Sequence, residues 1–159
     1  MRVTLLRFTL AIVALAATGC GDRSNAAASA KAKHEFHAPH GGTIIRLGRE
    51  EYHLELVRDA TAGRLTAYIL DGEALNPVRT RASSFDIVSG PATAKRVLTF
   101  NAVEDPKTGE TIGDTSRFAA EADWLKTTGR FDGELSLLKI ASTTFLRVPI
   151  SFPAGNEHR

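Results

Sequence analysis

The feature that most constrains the fold of this chain is a series of short segments in which apolar and polar residues alternate. Residues 52–57 read YHLELV, which places His53 and Glu55 on the opposite face of an extended strand from its aromatic and leucine side chains. Turn residues such as Asp71-Gly72 separate these segments. Many short strands with frequent turns predict an antiparallel β-sandwich with at most one short helix. The predicted strands are residues 43–47, 52–57, 65–70, 84–88, 96–103, 135–140 and 144–152.

The predicted helix lies within residues 117–127. Phe118, Ala122 and Leu125 fall there at helical spacing. A strand over residues 117–121 followed by a helical turn fits the same sequence nearly as well. Both alternatives leave the chain mainly β.

The last predicted strand, residues 144–152, indicates where the sheet ends. Every second residue from Leu146 to Phe152 is apolar, so these side chains are predicted to share the buried face. Pro149 lies between them and has no N–H to donate to a neighbouring strand. The strand is therefore predicted to lie at an edge of the sheet.

The amino terminus has the organisation of an export signal. Arg2 and Arg7 precede an apolar run, residues 8–17, which is too short to span a bilayer as a helix. The small residues before Cys20 resemble the lipobox of bacterial lipoproteins, in which a diacylglycerol group is attached to the cysteine before cleavage. This resemblance implies a signal peptide at residues 1–19 and a lipidated Cys20. It also implies an exported protein anchored to a bacterial envelope membrane and facing the periplasm. An ordinary cleaved signal with an incidental cysteine is the alternative.

The charge balance limits the partners of the mature chain. The sequence has 20 Lys and Arg residues against 18 Asp and Glu. Loss of Arg2 and Arg7 with the signal removes this difference and leaves no net charge. We therefore expect no nucleic-acid partner, because such binding needs a basic surface.

The folded region is predicted to follow a linker. Residues 20–36 comprise the lipidated cysteine and a flexible tether, because residues 21–33 contain no large apolar side chain to bury. One β-sandwich domain is predicted over residues 37–153, and residues 154–159 are predicted to form a flexible tail.

A group of histidines suggests metal ligation. His34, His37 and His40 recur at a spacing of three, so they project from one side of a polyproline-like stretch. The face of the second strand that carries His53 and Glu55 approaches His40 if the first two strands form a hairpin. Imidazole and carboxylate ligands suit the divalent transition metals Zn, Cu(II) and Ni. The candidate ligands are therefore His40, His53 and Glu55, with His37 as a fourth. A solvated run of histidines beside a half-exposed strand is the alternative.

The segment from His40 to Asp71 contains the strings HGG, YHLEL and LTAYILDG. It resembles small exported bacterial lipoproteins in which HGG opens a β-domain and a strand with His and Glu follows. It is also similar to the front β-domain of adaptor subunits of heavy-metal efflux pumps. The resemblance implies a β-domain that senses, binds or delivers metal in the envelope. Long coiled-coil segments are missing from the sequence, so the chain is not predicted to be an adaptor subunit itself.

The sequence contains no GxSxG, P-loop, HExxH or CxxC motif, and we predict that the protein is not an enzyme. Two function classes fit the sequence. The first is a lipid-anchored envelope protein that binds a divalent metal in homeostasis or efflux. The second is a non-catalytic module that docks another envelope protein. In both, the membrane is a partner through the lipid anchor.

Overall fold

The computed structural model describes residues 36–156. The predicted signal peptide, Cys20, His34 and the tether up to residue 35 lie outside the described residues. Eight strands and one short helix form the described part. In chain order they are β1 (Thr43–Leu47), β2 (Tyr52–Asp59), β3 (Arg64–Leu70), β4 (Ser84–Ser89), β5 (Arg96–Ala102), β6 (Arg117–Glu121), α1 (Trp124–Thr127), β7 (Phe131–Ile140) and β8 (Thr143–Phe152).

All eight strands belong to one antiparallel sheet with the order β1-β2-β3-β6-β5-β4-β7-β8. The predicted class, mainly antiparallel β with one short helix, is confirmed. The sheet is continuous and curls into a nearly closed barrel. Its opposite halves face each other across the core, as the two sheets of a sandwich do. The last strand of the chain lies at an edge of the sheet, as predicted.

The two edge strands, β1 and β8, are linked by the residues that follow β8. The side-chain Oδ1 of Asn156 accepts a hydrogen bond from the Arg46 N–H at 2.9 Å, and its Nδ2 donates to the Arg46 carbonyl at 3.1 Å. Thr43 Oγ1 donates to the Pro153 carbonyl at 3.3 Å. Asn156 thus pairs with β1 as the backbone of a neighbouring strand would. Of the predicted tail, residues 154–159, the described part ends at residue 156, and Asn156 contacts β1 through these two bonds.

Apolar side chains from every strand fill the interior of the barrel. At its centre Phe85 stacks on Phe100 with ring centroids 4.9 Å apart, and it meets Phe118 edge-on at 5.1 Å. Burying one such side chain stabilises the fold by about 1.5–3 kcal/mol. From α1, Leu125 is fully buried against the same core. The core therefore lies on the inner face of the sheet, and the outer face is left for other contacts.

The single helix predicted over residues 117–127 is wrong, and the alternative of a strand followed by a helical turn is confirmed. Phe118 and Ala120 alternate into the core, and β6 pairs with both β3 and β5. The two-residue period of the buried side chains is satisfied by a strand. The four residues of α1 follow it and carry Leu125 into the core.

The face predicted for the last strand is wrong at one position. Phe145 points into the barrel with 5% of its surface exposed, whereas Leu146 is 60% exposed. The reason is Arg147, whose φ of +52° is left-handed and interrupts the alternation of the strand. Beyond it Val148 and Ile150 face the core again, as predicted.

No helix within residues 36–156 is long and apolar enough to cross a membrane.

Candidate functional site

The outer face of β2 carries the two residues that the sequence singled out on this strand. His53 and Glu55 point away from the barrel core, yet neither has any exposed surface. They are covered by the segment that precedes β1, which places Phe36 against His53 and His40 against Glu55. The approach of His40 to this face is as expected from the sequence. Phe36, which the sequence assigned to the tether, contributes to the cover.

Glu55 anchors this segment to the sheet. Its Oε1 accepts hydrogen bonds from the backbone N–H groups of His40, at 2.8 Å, and Gly42, at 2.9 Å. Its Oε2 lies 2.7 Å from Nδ1 of the His40 ring. A buried carboxylate is costly unless its oxygens are bonded, and here both are. We call the contacts among His40, Gly42 and Glu55 the N-terminal latch.

The glycine pair of the HGG string allows the latch to form. Gly41 has a φ of +71°, a left-handed conformation that favours glycine, and its N–H donates to the Ala38 carbonyl at 3.0 Å. Gly42 lies so close to β2 that an added Cβ would be 2.5 Å from the Leu56 carbonyl oxygen. The two glycines therefore turn the chain and bring its backbone against the neighbouring strand.

The His40 ring is held in place by two contacts. Its face stacks on Tyr68 of β3, with ring centroids 3.7 Å apart and an angle of 6° between the planes. Its Nδ1 is engaged by Glu55, because a carboxylate accepts the proton that this nitrogen carries. In the neutral ring, Nε2 then carries the lone pair, and 42% of the His40 side chain is exposed.

The His53 ring is oriented by the turn that follows β3. Its Nδ1 lies 3.0 Å from the Asp71 carbonyl oxygen. A carbonyl can only accept, so Nδ1 carries the proton and Nε2 has the lone pair. Among residues 36–156, Nε2 is buried without a hydrogen-bond partner. The Phe36 ring packs against the His53 ring, with centroids 4.2 Å apart. The structure thus leaves a buried imidazole acceptor unused.

The acceptor for His53 belongs to a well-ordered turn. Partial burial alone would raise the pKa of the Asp71 carboxyl, but hydrogen bonds from Leu75, Asn76 and Glu73 outweigh it and lower the pKa from its ordinary value. The ionised carboxylate accepts from the Leu75 and Asn76 N–H groups at 2.9 and 3.2 Å. These contacts hold the turn, and with it the carbonyl that orients the His53 ring.

A positive charge lies near the same face. Arg46 of β1 is the register partner of His53, and its guanidinium carbon lies 5.5 Å from the centroid of the Phe36 ring. Its Nη1 forms an ion pair with Glu50 at 3.0 Å. The charge of Arg46 is therefore balanced locally.

The four predicted ligands do not converge on one point. His40 and Glu55 bind each other, the His53 nitrogen is turned to Asp71, and His37 is exposed. Within the described part of the chain, no group of three His, Cys, Asp or Glu residues is arranged to hold a metal ion.

Two groups that contact the histidines, the Tyr68 ring and the Asp71 carbonyl, were not predicted from the sequence. The alternation of β3 places Tyr68 on the outer face, but its pairing opposite Glu55 depends on register.

Comparison of this chain with protein-family models, with curated proteins and with solved structures finds no match.

Proposed function

We propose that the protein is a membrane-anchored envelope protein whose barrel binds a divalent transition metal ion through histidine nitrogens. The observation that supports this most directly is the state of His53. Its Nδ1 donates to a backbone carbonyl, and its buried Nε2 has no partner among the described residues. A metal-bound histidine characteristically donates its second ring nitrogen to such an oxygen, which fixes the tautomer and directs the lone pair at the metal.

His40 supports the proposal in the same way. Its Nδ1 is held by the Glu55 carboxylate, so its Nε2 is the nitrogen left for a ligand. In this proposal Glu55 is not a metal ligand, which is the role expected for it from the sequence. Its oxygens are engaged by the latch, and it acts as a positioning residue for His40 rather than as a ligand.

The proposed ligands are Nε2 of His53 and His40, with the exposed His37 as the third. Since these side chains do not converge on one point within the described residues, binding of one ion requires them to move together. Three protein ligands leave one position of a four-coordinate ion for water. Zn, Cu(II) and Ni accept imidazole, whereas a thioether-based Cu(I) site is disfavoured because the only methionine is Met1. Since the Phe36 ring covers His53, we expect metal entry to displace Phe36.

Titration calorimetry tests this proposal. The full chain, purified without an affinity tag in a non-ionic detergent, is titrated with zinc chloride and separately with copper(II) and nickel(II) salts. We expect one equivalent bound with a dissociation constant of about 1 μM or lower. Binding should weaken as the pH falls below about 6.5, where free imidazole takes up a proton.

Variants locate the site. His53→Gln and His40→Gln should each weaken binding at least about tenfold. His158→Ala, which removes a histidine at the far end of the chain, is the matched control and should bind as the parent does. Thermal melts of each variant report whether it is folded. If binding is absent, or survives unchanged in both His53→Gln and His40→Gln, the metal proposal is wrong and the docking-module alternative is the one to pursue.

A further inference from the structure

A cleft of about 440 Å³ opens at the end of the barrel where β4 leads into β5 and α1 leads into β7. It is remote in sequence from the latch and shares no lining residue with it. The residues that matter for its chemistry are Ser89, Arg96, Trp124, Arg130, Phe131 and Asp132. Its volume falls within the range of small-molecule sites, and barrel ends commonly hold them.

An aromatic wall forms one side of the cleft. Trp124 is half-buried and meets Phe131 edge-on, with ring centroids 5.3 Å apart. Phe131 stacks in turn on Phe152, at 5.4 Å. The indole ring is therefore held by the core on one side and lines the cleft on the other. Such a held ring presents a flat apolar platform at little cost in side-chain entropy.

Two guanidinium groups share the cleft. The Arg96 guanidinium carbon lies 5.3 Å from the centroid of the Trp124 ring. Neither Arg96 nor Arg130 forms an ion pair with any residue between 36 and 156. Among the described lining residues, Asp132 contributes one carboxylate against the two guanidinium groups, so their balance is positive. By contrast, Arg79 in a second cavity is paired with Asp114 at 3.0 Å.

We infer that this cleft binds a small anion that carries a flat apolar ring. The carboxylate or phosphate of the ligand pairs with Arg96 and Arg130, whose planar guanidinium groups bind such oxygens in bidentate fashion. As Arg96 turns to the anion, it leaves the indole face of Trp124, and the ring of the ligand stacks there. The inference is independent of metal binding at His53.

Trp124 provides a direct signal because it is the only tryptophan of the chain. The full chain in non-ionic detergent is titrated with phenyl phosphate, and tryptophan emission is recorded on excitation at the red edge. We expect saturable quenching with a dissociation constant of about 1 mM or lower. Inorganic phosphate supplies the charge alone and benzyl alcohol the ring alone. Each of these two compounds should bind at least about tenfold more weakly than phenyl phosphate.

Charge-removing variants assign the binding to this cleft. Arg96→Gln and Arg130→Gln should each lower the affinity for phenyl phosphate at least about tenfold. This is the ratio expected for the loss of one charge-assisted hydrogen bond. Arg81→Gln, in the second cavity, is the matched control and should leave the affinity for phenyl phosphate unchanged. All three side chains are exposed, and thermal melts confirm folding. Unchanged affinity in both cleft variants, or equal binding of inorganic phosphate or benzyl alcohol, overturns the inference.

Discussion

Two residues on the same face of one strand, His53 and Glu55, have opposite hydrogen-bonding states. Both oxygens of Glu55 are used, two of its three bonds coming from backbone N–H groups. His53 uses one nitrogen, and its other nitrogen is buried without a partner among the described residues. Since an unsatisfied buried polar group costs about 1–3 kcal/mol, Glu55 stabilises the fold while His53 weakens it unless a ligand is bound.

Substitution of Glu55 should therefore be costly. Glu55→Gln keeps the shape but replaces one acceptor oxygen with a donor, which cannot bond the proton on His40 Nδ1. We expect a loss of about 2 kcal/mol in the free energy of unfolding, measured by urea denaturation. Glu51→Gln, at an exposed neighbouring position, should change it by less than about 0.5 kcal/mol. Equal effects of the two substitutions would show that the latch contributes nothing specific.

The sequence predicted that His53, Glu55 and His40 lie on the same face of the sheet. The period of β2 places His53 and Glu55 together, and the hairpin with β1 brings His40 to them. The tautomers could not be predicted, because they depend on the Asp71 carbonyl, which reaches His53 only through the turn after β3. Side-chain partners across strands follow register, and register is set by the whole sheet.

At the scale of elements, the alternation of apolar and polar residues predicted where the strands lie. The departures from those predictions have local structural causes. β1 begins and ends where the alternation predicted. The strand β7 begins four residues earlier than predicted, at Phe131, because it continues its pairing with β8 as far as Phe152. The left-handed Arg147 gave no signal in the sequence, since arginine rarely adopts this conformation. Periodicity thus predicts strands well and interruptions within them poorly.

The close approach of the latch to β2 can be tested at its glycine. Gly42→Ala places a Cβ 2.5 Å from a backbone oxygen and must displace the segment from the strand. We expect destabilisation of about 1–3 kcal/mol, the usual cost of overpacking, read from urea denaturation. At Gly129 an added Cβ would meet only Arg58, at 3.7 Å, so Gly129→Ala is the control. A Gly42→Ala protein as stable as this control would contradict the described geometry.

At the scale of the whole molecule, the barrel depends on a side chain to close it. The seam between β1 and β8 is bridged by Asn156, which satisfies both the N–H and the carbonyl of Arg46. Open sheet edges present unpaired backbone groups to other chains. This closure could not be predicted from the sequence, because a single asparagine near the terminus resembles any polar tail residue.

Removal of this bridge should loosen the seam. Asn156→Ala deletes two hydrogen bonds, and we expect a loss of about 1–2 kcal/mol in the free energy of unfolding. Amide hydrogen exchange at Arg46 should accelerate, since its N–H loses its acceptor. Asn101→Ala, on the exposed side of β5, is the control and should leave the Arg46 amide unchanged. Unaltered exchange at Arg46 in the Asn156 variant would show that the seam closes without it.

The membrane attachment is tested on the intact cell. Cys20→Ala removes the only thiol that could carry a lipid. We expect the protein to appear in the soluble envelope fraction or to remain uncleaved, because several acyl chains are needed for stable anchoring. Fractionation with and without detergent, followed by mass spectrometry of the amino terminus, measures this. A variant that partitions with membranes as the parent does would contradict lipidation.

If Cys20 carries the proposed lipid anchor, a pulling force enters the barrel from its amino-terminal side, and the latch determines where that force arrives. Load that reaches Phe36 from the amino-terminal side passes to Glu55 before it reaches β1. Because β2 lies between β1 and β3, hydrogen bonds on both sides of β2 share the force. A force applied to an edge strand would instead break its hydrogen bonds one at a time. We therefore expect the bonds between His40, Gly42 and Glu55 to break first, before β1 carries the load.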